Sequence, residues 1–166
     1  MPKSQVEELT DKTISQGGLL AKMYFDMQSE NKDDLQPLMA DLINNRLLKS
    51  NGVVYCFGSI DEPIKVDNLY STNAVVTILA KNLASLINLA FTFIPAGVEI
   101  LKPEKEYVLK HSDLQSILLD ITQISVTYSN YILSKVLNKE DYDKVLKDMQ
   151  NREELGKKLL KKDGVS

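Results

Sequence analysis

Between Ala74 and Ile94 almost every residue is apolar, and the few polar ones fall in register. Thr77, Lys81, Ser85, Asn88 and Thr92 step by four, four, three and four, the spacing of one narrow stripe along an α-helix. The run predicts a helix capped at Ser71 or Thr72 and apolar over most of its circumference. Such a helix has to be surrounded, either by its own fold or by a second copy of the chain. Its length also matches the roughly 20 residues of a membrane span. Against that, Lys81 sits near the middle and Asn82, Ser85 and Asn88 follow, all costly against lipid. The end runs into Pro95-Ala96-Gly97 and strand-like Val98 to Leu101 with no basic flank. The expectation is a buried helix of a soluble, non-membrane protein.

The stripe recurs downstream. Asp113, Ser116, Asp120, Gln123, Thr127, Asn130 and Ser134 alternate steps of three and four within a long helix, predicted from a Ser112/Gln115 capping box to about Leu137. Upstream, Ser4 and Glu7 form a capping box for a first helix, broken or kinked at Gly17-Gly18 and resuming through Leu19, Leu20, Met23, Tyr24 and Met27. A second helix starts near Asp34 and stops at Gly52. Val53 to Phe57 reads as a strand buried on both faces, Asp61-Glu62-Pro63 as a turn, and Ile64 to Val66 as a short returning edge strand. Val98 to Leu101 and Glu106 to Leu109 flank Lys102 to Lys105 as a hairpin. Asn138 caps a final amphipathic helix. The pattern is α+β: a small mixed or antiparallel sheet of about three to four strands in partly ferredoxin-like order, packed with about five helices. It is expected to be one domain over 1–166, with a helical part at 1–50, a strand–helix–hairpin–helix core at 53–137 and a C-terminal helix at 139–163.

A chain of 166 residues suits one domain. A net charge of −3 and a pI near 5.2 lack the basic footprint of a nucleic-acid binder. The stretch from Asn151 to Lys162 carries Glu153 and Glu154 as well as its lysines and reads as a mixed solvated face. Cys56, the single cysteine, excludes an intrachain disulfide and a multi-cysteine metal site. The opening MPKSQVEELTDK lacks a secretory apolar core, and no Asn-X-Ser/Thr acceptor occurs, so a cytoplasmic setting is expected. Walker, dinucleotide-binding, zinc-protease and nucleophile-elbow motifs are missing, and neither a metal nor a cofactor is expected.

Two constellations remain as candidate sites. If the two stripes face each other, Lys81 and Asp120 form a buried pair flanked by Asn88, Gln123 and Thr127, a polar seam able to orient a small ligand. If they face water, the seam does not exist. Ser59, Asp61 and Glu62 stand at the end of the buried strand expected at Val53 to Phe57, a binding position or an ordinary acidic turn. Cys56 reads as a small buried hydrophobe and His111 as a solvated or capping side chain, since a nucleophilic pair requires a depressed thiolate pKa and a base beside it. Two such apolar helices carry more surface than a small sheet covers. The leading expectation is therefore a homo-oligomer, most simply a dimer, that binds or assembles rather than catalyses. Its partner would be itself, then another protein or a small ligand; the alternative is a small-molecule-binding protein or enzyme using the polar seam.

Overall fold

Residues 19–29 alternate: Leu19, Ala21, Met23, Phe25 and Met27 fall on one side, Lys22, Tyr24, Asp26 and Gln28 on the other, which is the two-residue period of a strand. In the computed structural model, which describes residues 4–162, the chain runs α1 (Gln5–Ser15), β1 (Leu19–Ser29), α2 (Lys32–Asp41), a π-helical turn (Leu42–Leu47), β2 (Val53–Ile60) and β3 (Ile64–Val66). It continues with β4 (Leu69–Ala80), α3 (Leu83–Phe93), β5 (Gly97–Lys102), α4 (His111–Val136) and α5 (Lys139–Lys162). The helix-rich α+β class is borne out. The sheet is antiparallel and has five strands, because residues 19–29 and 69–80 are strands rather than helix.

The helix expected over 74–94 is corrected to a strand and a shorter helix. Val75, Val76, Thr77 and Ile78 form a β-branched block, which loses side-chain freedom in a helix and packs well on a pleated sheet. β4 pairs with all eleven residues of β1, from Leu19 opposite Ala80 to Ser29 opposite Tyr70. The turn at Lys81-Asn82 ends the strand, and Asn82 then caps α3, its side-chain oxygen accepting from Ser85 N at 2.8 Å.

Strand order across the sheet is β2-β4-β1-β5, with the short β3 also on β4. Strand–helix–strand, hairpin, then helix–strand in this order is the split β-α-β arrangement of the ferredoxin-like kind. It spans residues 19–102, so the last strand that residues 53–137 lack is supplied by taking β1 as the first. One face carries Leu19, Ala21, Met23 and Phe25 of β1 with Ala74, Val76, Ile78 and Ala80 of β4. Met39, Ile43 and Leu47 from α2 and the π-helical turn cover it, with Leu86 and Leu89 of α3. On the opposite face α1 reaches β2, where Thr10 Oγ1 and Tyr55 OH share a hydrogen bond of 2.8 Å, and Leu79 is fully buried. Farther along that face Tyr24 OH donates to Glu99 at 2.9 Å, a bond that favours the neutral phenol and holds its pKa above the usual value.

Three local readings are corrected. β2 is not buried on both faces: it lies at the outer side of β4, with Phe57 59% exposed. Residues 106–109 do not return as a hairpin strand; Tyr107 instead turns back on the core and donates to the Gly17 carbonyl at 2.7 Å. α4 starts at His111, one residue before the expected cap. The capping box at Ser4/Glu7, the edge strand at 64–66 and the cap at Asn138 are all present.

The chain divides into two compact units, residues 1–114 and 115–166. The first holds the sheet with α1 to α3, the second α5 and all but the first turn of α4. No helix of the described residues is long and apolar enough to cross a membrane.

Candidate functional site

The polar stripe survives only in part. Ser85, Asn88 and Thr92 keep helical spacing on α3 and line a groove of about 360 Å³ with Ser50, Asn51, Asn82 and Phe93. Gly52 places its opposite wall: with φ at +87° it closes the turn between the π-helical segment and β2 and lies against Ser85. The Gly52 carbonyl accepts from Lys81 N at 2.8 Å, tying that turn to the end of β4. Asn82 Oδ1 also accepts from Ser85 Oγ at 2.8 Å. The Arg46 guanidinium lies 5.8 Å from the Phe93 ring centre, close enough for a cation–π contact at the groove's end. The lining combines amide and hydroxyl groups with Ala84, Leu89 and the Phe93 ring, and none of its residues is charged; Arg46 belongs to the π-helical turn, a conformation frequent at functional sites.

Of the expected seam, only Asn88 lines this groove. Lys81 is exposed in the turn before α3, not mid-helix, because β4 has taken the residues that were to precede it. Asp120 and Gln123 are exposed on α4 in the second unit, and Gln123 lies along its own helix beside Thr127, whose hydroxyl donates to the Gln123 carbonyl at 2.9 Å. The first of the two expected stripes is therefore shortened to Ser85, Asn88 and Thr92 on α3, since the residues up to Ala80 are strand.

Ser59 is exposed near the end of β2, and Asp61 and Glu62 are exposed in the turn that follows. Asp61 holds that turn through its backbone: its N donates to Asn73 O at 2.8 Å and its carbonyl accepts from Thr72 Oγ1 at 2.6 Å. Both carboxylates face solvent, and no group of three metal-ligating side chains occurs among the described residues. Cys56 is half-buried, next to Ile78 in the ladder, and desolvation pushes its thiol pKa up, away from the thiolate a nucleophile needs. His111 is exposed at the first residue of α4. The side chains of Lys157, Lys161 and Lys162, part of the basic C-terminal face, lie outside the described residues.

Ser50, Asn51, Asn82 and Phe93 were not singled out from the sequence. The signal available was the change at Ala80-Lys81-Asn82 from a β-branched run to Leu/Ala-rich composition, with Asn82 placed three residues before Ser85 as a cap. No curated protein and no solved structure matches the chain. The MJ0538 family model matches residues 20–156, from β1 into α5, and the chain belongs to that family.

Proposed function

We propose that this chain is a self-associating binding or assembly module of the cytoplasm, working as a homo-oligomer of at least two copies. The observation that carries the reading is α4, where Leu118, Leu119, Tyr128, Tyr131 and Val136 are each more than half exposed. Monomers rarely leave contiguous apolar surface beyond a few hundred Å², and a patch of this kind marks an interaction site. Closed symmetry is the simplest way for one chain to cover it. A single, half-buried cysteine supports the cytoplasmic setting. Light scattering at micromolar concentration is expected to give at least twice the 18.7 kDa chain mass; a clean 18.7 kDa species overturns the reading.

A second reading, a small-ligand site, is favoured by the groove beside α3. Its uncharged lining, amide and hydroxyl groups beside Ala84, Leu89 and Phe93, suits a neutral, hydroxyl-bearing ligand. Thermal stabilisation by a member of a polyol and nucleoside panel, lost in Asn88→Leu, distinguishes it, because a ligand that binds only the folded state raises its stability by mass action.

A further inference from the structure

On α4 the exposed apolar residues are ordered. Leu114, Leu118, Ile121, Tyr128, Ile132 and Val136 are 38–74% exposed, and with Ser125 they step by four, three, four, three, four and four. A mean step of about 3.7 stays close to the 3.6 residues of a helical turn and keeps one seam against a helical partner over about six turns. The seam is nearly palindromic about Ser125: Leu114 and Val136 lie eleven residues to either side, Leu118 and Ile132 seven. Of the charged residues on this helix, Asp113 and Lys135 lie nearest the seam, both exposed. They are 22 residues apart, about six helical turns, which puts them on the same flank at opposite ends.

Resting on the self-association reading, we propose that α4 pairs antiparallel with α4 of a second copy, about a two-fold axis at Ser125. In an antiparallel pair the same flanks of the two helices meet, so Asp113 of each copy comes within reach of Lys135 of the other. Leu114 then stands opposite Val136 and Leu118 opposite Ile132. The small Ser125 side chains meet at the centre, where the backbones approach most closely. A parallel, in-register pair would instead set Tyr128 against Tyr128 and gather the two Asp113 carboxylates at one end, like charges together. The six apolar residues leave on the order of 600 Å² exposed per helix. The pair buries about 1,200 Å² before flanking residues are counted, the lower bound for a specific interface. The seam itself carries no charge, so a second copy meets no repulsion there.

The test is disulfide capture in the full chain with Cys56→Ala as background. Ser125→Cys, oxidised at the parent's native mass, is expected to form an interchain disulfide. Leu118→Cys co-expressed with Ile132→Cys is expected to give about tenfold more disulfide dimer than either variant alone, because the bond demands Cα atoms about 5.5–6 Å apart. Efficient capture by each single variant alone means a parallel pair and overturns the proposal. A parent of dimeric mass with no capture at any of the three positions also overturns it, while leaving self-association standing. A parent at 18.7 kDa removes both.

Discussion

Ile78→Ala is expected to lower the unfolding free energy by about 3 kcal/mol, while Thr77→Ala, one residue away, costs less than about 1 kcal/mol. Ile78 is fully buried between Cys56 of β2 and Ala21 of β1, under the helices of the covered face. Thr77 points to the other face, half-buried between Phe57 and Lys22. The loss at Ile78 combines the transfer energy of the deleted methylenes with the cavity left in a sheet that cannot collapse around it. In a domain of this size it lowers the melting temperature by about 6–12 °C. Extending the scan, Val76→Ala is expected to be costly and Val75→Ala mild, the alternation that a strand imposes. Chemical denaturation of the four variants checks it. Equal losses at Val75 and Val76 would mean that residues 74–80 are surrounded as in a helix, and the strand assignment would fail.

Gly52→Ala is the second large effect, about 2–4 kcal/mol of lost stability. At φ +87° an L side chain is itself strained. A Cβ there would also run into Ser85 Oγ and Cβ, and Ser85 is held in place by its two hydrogen bonds to Asn82. Neither the turn nor the start of α3 yields freely, because the Gly52 carbonyl is bonded to Lys81 N. Ser85→Gly is expected to recover part of the loss when combined with Gly52→Ala, by removing the atoms that collide. A double-mutant cycle by thermal unfolding reads that coupling. Additive losses would show that the backbone angle, and not the contact, carries the cost.

Local signals of short range were legible in the chain. The Ser4/Glu7 box, the edge strand at 64–66 and the cap at Asn138 depend on residues within a few positions of each other, and each is where the pattern put it, whereas the helix expected to stop at Gly52 ends at Leu47. The α+β class and a ferredoxin-like order were legible as well, although the order was placed over 53–137 instead of 19–102. The errors share one cause. Residues 19–27 and 74–80 are apolar at enough positions to satisfy a 3.6-residue and a two-residue period together, and a step of four, as from Thr77 to Lys81, fits either period. In each segment β propensity was the better guide: Val75 to Ile78 are all β-branched, and the odd residues from Leu19 to Met27 are all apolar.

The site follows the same division. Ser85, Asn88 and Thr92 were legible as a stripe because they do sit on one helix, whereas Lys81 dropped out once β4 claimed the residues before it. Ser50 and Asn51 join them from a turn more than thirty residues away in sequence, which no periodicity reveals. By itself the sequence determined the caps at Ser4 and Asn138, the turn at Asp61 to Pro63, the two long C-terminal helices and the exposed apolar residues on α4, all properties of neighbouring residues. Only the tertiary structure decided that β1 and β4 are strands, because eleven paired residues and a shared buried face outweigh the helical spacing either segment shows alone.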